Sequence, residues 1–285
     1  MSAKQGWISG LIGVIIFSGS LPATRLAVAG FSPWFLTSAR AVIAATLGIL
    51  CLLALRQSSP SRRDMPSLFI VAAGVVVGFP LLTALALQTI TAAHSVVFIG
   101  MLPLATAIFG VLRAGESPKP AYWVFAGLGS LAVAGFAYTQ KGDGSVTGDL
   151  YMMAAITVCG LGYAEGARLT RTLGGWQVIS WALVLSVPVM LPIAFIARPI
   201  EYAGIARSAW LGLAYVSVFS MFLGFLFWYR GLALGGVASV GQLQLLQPFF
   251  GLLLAAVLLG EPVPPAMAAV TAFVVVCVIG ARRFA

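Results

Sequence analysis

The chain is a series of apolar runs, each about 20 residues long, separated by short polar connections. Runs of this length suit membrane-spanning helices, because a strand of a membrane barrel needs only about 10 residues and alternates in polarity. The pattern predicts ten helical spans, at 6–29, 33–55, 67–87, 91–112, 121–138, 149–169, 176–197, 208–229, 236–259 and 264–281. The longest connections, 56–66, 139–148 and 198–207, are too short for an extramembrane domain. We therefore predict an all-α integral membrane protein.

The stretch from residue 93 to residue 135 occurs twice. Pro103 in the first copy corresponds to Pro248 in the second, 145 residues further on. The same offset relates Leu87 to Leu232, Ala93 to Ala238, Gly115-Glu116 to Gly260-Glu261, Pro120-Ala121 to Pro265-Ala266, and Gly135 to Gly280. Matched prolines and Gly-Glu pairs at one offset indicate an internal duplication. Interrupted helices at equivalent positions of two repeats are typical of secondary transporters and indicate where the substrate passes.

The two repeats correspond to residues 1–144 and 145–285, and each contains five predicted spans. An odd number of spans forces the second half to enter the membrane in the opposite sense from the first. The spans therefore predict two inverted five-helix repeats, related by a two-fold axis that lies in the membrane plane.

The basic residues predict the orientation. If the N-terminus is cytoplasmic, 11 of the 16 Lys and Arg residues face the cytoplasm. They are Lys4, Arg56, Arg62, Arg63, Arg113, Lys119, Arg168, Arg171, Arg230, Arg282 and Arg283. The outer loops hold only Lys141, Arg198 and Arg207. Cytoplasmic loops carry the excess of Lys and Arg, so both termini are predicted to be cytoplasmic.

Composition supports a membrane protein and excludes several other classes. The chain has 285 residues, of which 61% are hydrophobic and 8% charged, which is too few charges for a soluble domain. The net charge of +9 is spread one to three residues per loop, so it does not predict nucleic-acid binding. Three isolated cysteines and one histidine do not predict a disulfide, a metal site or any other cofactor. The first apolar run resembles a signal peptide but continues to about residue 31, which favours an uncleaved span.

The segment GVASVGQLQLLQPFFGLLLAAVLLGEPV at 236–263 resembles the EamA-type members of the drug/metabolite transporter superfamily, and the resemblance extends over essentially the whole chain. Within that family the chain looks most like amino-acid exporters of the YddG type. The resemblance implies an export pathway through a central cavity walled by helices 1, 3, 4, 6, 8 and 9, with helices 5 and 10 at the edges. The fourth helix departs from the pattern, with His94 and Gly100 where the second copy has Ser239 and Leu245.

The ninth span contains three glutamines just before a proline. Gln244 and Gln247 are three residues apart and share a helix face, and Gln242 lies nearby. Pro248 removes one backbone donor and crowds the carbonyl of Gln244. Amides beside freed backbone acceptors suit a zwitterionic or polar substrate. The alternative is that the glutamines bond neighbouring helices and only hold the bundle together.

The equivalent positions of the fourth span are apolar. Ile99 and Leu102 correspond to Gln244 and Gln247, which predicts a cavity with one polar and one apolar side. Such a cavity suits a molecule with a polar end and a bulky apolar body. His94, Phe98 and Met101 follow at roughly helical spacing and are further candidates for substrate contact, as is Pro103 for a moving segment. His94 is equally well explained as an interfacial residue.

The first two spans carry polar and charged residues, whose presence requires a structural or functional explanation. Placing an arginine at mid-bilayer costs about 2.5–3.5 kcal/mol of insertion free energy. Ser20 and Thr24 are candidates for substrate binding, and Pro22 predicts a bent or moving segment. Arg25 either meets a substrate carboxylate at the outer mouth or extends to the lipid headgroups. Arg40 lies deeper and has no evident partner, and we expect a structural role for it.

Glu165 is the one acid that we place well inside a span, so it is the candidate for proton coupling. Arg168, one turn further on, has the spacing of a helical ion pair and offers the structural alternative. No nucleotide-binding motif is present, so no ATPase subunit is implied. Several aromatic residues of the expected path can stack on a ring-bearing substrate, although most aromatic residues of membrane proteins face lipid. They include Phe79, Phe98, Tyr163 and Trp228.

These features predict a secondary transporter that exports a small metabolite, with an amino acid of aromatic or neutral type as the expected substrate, across a bacterial inner membrane by alternating access. The alternatives are an exporter of another metabolite or drug and a membrane protein that transports nothing. An integral-membrane enzyme is disfavoured, because the chain has no HExxH, paired-aspartate or GxSxG motif.

Overall fold

The computed structural model describes residues 3–90, 92–140, 145–259 and 265–285, and these residues contain helices and no strands. Within them, six continuous helical rods are long and apolar enough to cross a membrane: Ala3–Val28, Pro33–Ala54, Met65–Ala86, Val146–Leu173, Gly175–Ile196 and Arg207–Gly235. They correspond to the first, second, third, sixth, seventh and eighth predicted spans. Helices also stand at the other four predicted positions, but they are not among these six. The count of ten membrane crossings therefore stays a prediction.

The helices of the first half are α1 (Ala3–Ser18), α2 (Ser20–Val28), α3 (Pro33–Ala54), α4 (Met65–Val71), α5 (Phe79–Ala86), α6 (Ala92–Ile99), α7 (Leu102–Ala114) and α8 (Pro120–Gln140). A π-helical segment, Ala72–Gly78, joins α4 to α5 without a break in the rod. Asp64 precedes α4, and Ser32 begins α3 by accepting a hydrogen bond on its hydroxyl from the N–H of Phe35, as expected of an N-cap serine.

The helices of the second half are α9 (Val146–Leu173), α10 (Gly175–Ile196), α11 (Arg207–Ala214), α12 (Gly224–Gly235), α13 (Val237–Gly241), α14 (Gln247–Leu259) and α15 (Pro265–Phe284). The π-helical segment Tyr215–Leu223 joins α11 to α12. The 3₁₀ segment Gln242–Leu246 lies between α13 and α14. The second Gly-Glu pair, Gly260-Glu261, lies outside the described residues.

Both prolines of the repeated stretch stand in the first turn of a helix. Pro103 is the second residue of α7, which begins after an interruption at Gly100 and Met101. Pro248 is the second residue of α14, which follows the 3₁₀ segment. Proline is tolerated at these positions because the first backbone N–H groups of a helix have no intrahelical acceptor. The fourth and ninth predicted spans each have a proline near the middle. In the structure, each of these spans is interrupted just before its proline.

The helix ends meet at two opposite ends of the bundle. At one of them, the Lys119 N–H donates to the Phe284 carbonyl at 2.9 Å, and Gln177 Nε2 donates to Gln57 Oε1 at 3.1 Å. The same end holds the loop arginines and lysines assigned above to the cytoplasm, and we call it the basic end. We call the other end of the bundle the opposite end. There, the ring of Phe31 contacts that of Trp210, with centroids 4.8 Å apart.

Helices of the two halves pack closely on one another. The helix α1 lies along α12, α3 along α10, α7 along α9 and α8 along α15. Small residues permit the closest of these contacts: a Cβ atom placed on Gly231 would lie 2.7 Å from the backbone nitrogen of Gly10. In a bundle with few polar groups, such close backbone packing is a main source of helix association.

Candidate functional site

A cavity lies in the middle of the bundle, between helices of both halves. Its volume is about 40 Å³, enough for about three water molecules and far below the roughly 300 Å³ of a typical ligand pocket. The first half contributes side chains from α1, α2, α3, α5, α6 and α7, and the second half contributes side chains from α9, α12, α14 and the second π-helical segment. In the conformation described, the cavity must widen before a metabolite can occupy it.

Hydroxyl, amide and guanidinium groups form part of the cavity wall. The Ser20 hydroxyl donates to Ser220 Oγ at 2.8 Å, and Arg40 Nη2 donates to the same oxygen at 3.3 Å. Gln247 Nε2 donates to the Phe17 carbonyl at 3.3 Å. Thr24, which the sequence predicted, and Thr83, which it did not, also line the cavity. The hydrogen bonds of Ser20 and Arg40 to Ser220 connect α2, α3 and the second π-helical segment at the cavity wall.

Arg40 is the main site residue that the sequence reasoning missed. We expected a structural role, and the structure places the side chain in the cavity wall with only 6% of its surface exposed. The signal was available, because an arginine inside a span with no nearby acid commonly faces a wet cavity. Sequence alone does not show which face of α3 points inward, since apolar residues occur on every side of that helix.

Apolar and aromatic residues form the rest of the cavity wall. Ile99 and Leu102, the counterparts of two glutamines, both line the cavity, as does the predicted aromatic residue Phe79. Tyr163 also lines it and contacts Trp228, with ring centroids 5.5 Å apart. Trp228 is fully buried and does not reach the cavity.

The aromatic rings form a layer on the side of the cavity that faces the basic end. Phe17 and Phe225 line the cavity, and their ring centroids are 5.0 Å apart. Phe17 also packs edge-on against Trp228, with centroids 6.1 Å apart. These rings therefore pack closely against one another at the cavity wall.

The three predicted glutamines are placed differently. Gln247 lines the cavity. Gln242 Nε2 donates to the Tyr122 hydroxyl at 2.7 Å, and that hydroxyl donates to the Ala238 carbonyl at 3.1 Å. Gln244 is fully buried and lies outside the cavity wall. The alternative of helix-to-helix bonding therefore describes Gln242, and the cavity interpretation describes Gln247.

The candidates on the fourth predicted span lie away from the cavity wall. His94 Nε2 lies 2.7 Å from Asp149 Oδ1, which joins α6 to α9 near the opposite end. The Phe98 ring lies beside that of His94, with centroids 5.9 Å apart, and Met101 is 36% exposed. In this conformation the structure brings none of the three to the cavity.

Glu165 lies at the centre of a charged cluster that includes Ser67, Arg113 and Arg168, and we call it the Glu165 cluster. Glu165 is fully buried, and its carboxylate accepts from Ser67 Oγ at 2.6 Å and from Arg113 Nε at 2.9 Å. Arg168 Nη2 donates to the same carboxylate and to Ser67 Oγ. The cluster ties α4, α7 and α9 together near the basic end and does not line the cavity. The predicted pair with Arg168 is present, and the partner Arg113 was not expected.

A second acid joins the two halves at the basic end. Glu116, from the first Gly-Glu pair, accepts hydrogen bonds from the N–H groups of Val237 and Ala238 at 2.6 and 2.7 Å. These are the first two residues of α13, where backbone N–H groups need an external acceptor and a negative charge is favourable. Glu116 therefore caps a helix of the other half, a role that its sequence position did not reveal.

Arg25 and Pro22 both belong to α2, which begins after a bend at Gly19. Arg25 Nη1 donates to the Leu87 carbonyl at the end of α5, near the opposite end. The Leu87 carbonyl is a partner for Arg25 within the protein. The position of this arginine therefore does not require a substrate carboxylate or the lipid headgroups, the two partners expected from the sequence. The bond links the bent segment to α5.

Long apolar helices around an enclosed, mixed-polarity cavity define a membrane transporter. The sequence model of the EamA-like transporter family matches residues 4–138 and 146–282, so the chain belongs to this family. The chain is 65% identical over 281 residues, 99% of this chain and 98% of the relative, to a protein of Bacillus subtilis (strain 168) described as "Uncharacterized transporter YdeK".

A more distant relative and a solved structure are also similar to this chain. The "Uncharacterized transporter YyaM" of the same Bacillus subtilis strain is 22% identical over 231 residues, 78% of this chain and 76% of the relative. A crystal structure superposes with a TM-score of 0.81 over 98% of this chain and 99% of the other, at 20% identity. At that level of identity the likeness concerns the fold.

Proposed function

We propose that the protein is a secondary transporter that exports small metabolites, namely amino acids of aromatic or neutral type, by alternating access through the central cavity. It works without a cofactor or an ATPase subunit. The observation that carries this proposal is the small cavity between the two halves, lined by both polar and apolar side chains. A polar end and a bulky apolar body are the features of a neutral or aromatic amino acid.

The proposal includes ten spans in two inverted repeats, residues 1–144 and 145–285. Two separate family matches support the repeat. The irregular segments also correspond: shifting Ala72–Gly78 by 145 residues places it inside the π-helical segment Tyr215–Leu223. Helix packing follows the same relation, because α1 packs on α12 while its counterpart α9 packs on α4 and α5.

Alternating access requires that one end of the path is closed while the other opens. Three features support closure at the basic end in the conformation described: the aromatic layer, the Glu165 cluster and the bonds from Glu116 to α13. At the opposite end, the described residues include the bonds of Arg25 to the Leu87 carbonyl and of His94 to Asp149. We propose that transport exchanges these two sets of contacts.

We further propose that the basic end faces the cytoplasm of a bacterium, with both termini on that side of the inner membrane. The segregation of Lys and Arg supports this orientation.

A flux measurement with a matched pair of variants tests the transport proposal. Labelled aromatic and neutral amino acids should equilibrate faster in vesicles that contain the protein than in empty vesicles. Leu102→Phe, which fills the cavity wall, should block this flux, whereas Leu112→Phe, on a 68% exposed position of the same helix, should leave it intact. Equal rates in protein-containing and empty vesicles would remove the amino-acid proposal.

A further inference from the structure

We infer that the transported molecule is recognised through a carboxylate held by Arg40, and that an amino group is not required for recognition. This inference rests on the proposed transport function and names the substrate chemistry of the same cavity.

The first step is the burial of a cation at the cavity. Only 6% of the Arg40 surface is exposed, although the guanidinium lies in the cavity wall. Nη2 donates to Ser220 Oγ at 3.3 Å, and Nε has no hydrogen-bond partner in the part of the chain that the structure describes. The guanidinium carries five N–H donors, so most of its capacity is available for a ligand.

The second step is that the described acids are engaged elsewhere. Glu165 binds Arg113 and Arg168, Glu116 caps α13, and Asp149 binds His94. Asp64 accepts from the Ser61 hydroxyl at 2.7 Å, and Glu201 lies in the exposed loop between α10 and α11. Among the described residues, therefore, no ion pair includes Arg40.

An uncompensated charge buried inside a membrane protein is costly, and an entering anion removes that cost. Arginine is suited to this role because its planar guanidinium can bind both oxygens of a carboxylate at once. A cation would meet repulsion from Arg40 and find no described carboxylate in the cavity wall. The cavity therefore favours a ligand with an anionic group and disfavours an amine that lacks one.

The remaining lining defines the rest of the molecule. The Ser220 hydroxyl accepts from both Ser20 and Arg40, and its own proton can be donated to a carboxylate. Ile99, Leu102 and Phe79 form an apolar surface for a hydrocarbon or aromatic body. The substrate class is thus a carboxylate with an apolar body, which includes amino acids and the corresponding acids that lack the amino group.

Thermal stabilisation of the purified full-length protein tests this assignment. The probes are acetate, butyrate, 3-phenylpropionate, phenylalanine, phenethylamine and chloride. We expect 3-phenylpropionate and phenylalanine to raise the melting temperature, and phenethylamine and chloride to have no comparable effect. Arg40→Gln should weaken the apparent affinity for 3-phenylpropionate by at least about 30-fold, because it removes the charged partner of a buried pair. Arg198→Gln, in an exposed loop, is the matched control and should bind like the unmodified protein.

A second variant separates recognition from a structural role. If Arg40 only ties α3 to Ser220, Arg40→Met should melt at a lower temperature without ligand and still respond to carboxylates. We expect a melting temperature that is unchanged or higher, because an unpaired buried charge is removed, together with loss of the carboxylate response.

The outcomes distinguish this inference from the transport proposal. Arg40-dependent binding without any flux in vesicles would remove the transport proposal and leave the carboxylate assignment standing. The assignment is overturned if no carboxylate stabilises the unmodified protein, if phenethylamine or chloride stabilises it equally, or if the response survives in Arg40→Gln.

Discussion

The Glu165 carboxylate on α9 accepts a hydrogen bond from Arg113 Nε on α7 at 2.9 Å, across the basic end of the bundle. This contact bears on the two interpretations that the sequence left open for the acid. The carboxylate is bound by two arginines and a serine, and it lies outside the cavity wall. The structure therefore favours a role in holding helices together over a role as a proton carrier.

Glu165→Gln should lower stability and leave any pH dependence of flux unchanged. The amide keeps the shape of the side chain but loses charge-assisted hydrogen bonds, each worth about 1.5–3 kcal/mol. The measurements are thermal unfolding and vesicle flux at several pH values. Comparing Glu165→Gln, Arg113→Gln and the double variant gives the interaction energy between the two residues. A flux that loses its pH dependence only when Glu165 is changed would restore the coupling role.

Glu116→Ala should loosen the start of α13. The change removes the acceptor of two backbone N–H groups and a favourable charge at a helix start, a loss of about 1–2 kcal/mol. Hydrogen exchange at Val237 and Ala238 should become roughly 5- to 30-fold faster. Glu201→Ala, at an exposed acid, should leave these amides protected. Unchanged exchange in Glu116→Ala would show that other contacts hold the two halves together here.

Gln247→Leu and Gln242→Leu should have different effects, because only Gln247 lines the cavity. Gln247→Leu should reduce flux by about 10-fold, because the substrate loses one hydrogen bond worth about 1–1.5 kcal/mol. Stability should change little. Gln242→Leu should lower stability by about 1–2 kcal/mol, because the Tyr122 hydroxyl loses its donor, while flux per folded molecule is kept. Vesicle flux normalised to folded protein separates the two. The same loss of flux in both variants would contradict this division of roles.

Gly231→Ala should destabilise the contact between α1 and α12. The added methyl group would lie 2.7 Å from the Gly10 nitrogen, so the two backbones must separate at a cost of about 1–3 kcal/mol. Gly127→Ala is the control, because no atom lies within 4 Å of the added group. That change should be neutral or stabilise α8 by about 0.5–1 kcal/mol, since alanine loses less conformational entropy than glycine in a helix. Equal melting temperatures for the two variants would contradict close packing at Gly231.

Several features were predictable because they depend on residues close together in the chain. Runs of apolar residues predicted six rods that the structure contains. Pro103 and Pro248 predicted interrupted helices, because the missing N–H and the ring act on the preceding turn of the same helix. The repeat predicted the apolar side of the cavity, where Ile99 and Leu102 lie.

Other features depend on which helices are neighbours. Gln242 and Gln247 have similar sequence surroundings, yet one bonds Tyr122 on α8 and the other lines the cavity. Glu116 was noted only as half of a Gly-Glu marker, and it caps a helix more than 100 residues away in the chain. Arg40 was assigned a structural role because no partner was evident along its own helix.

Hydrophobicity and proline spacing, read along the chain, determine where helices form and where they break, because these effects act within one or two helical turns. The selection of one glutamine for the cavity, the pairing of Glu165 with Arg113 and the exposure of Arg40 to an enclosed space follow from the packing of distant helices. Packing decides them because a polar side chain in an apolar bundle is stabilised by whichever group lies opposite, and that group belongs to another part of the chain.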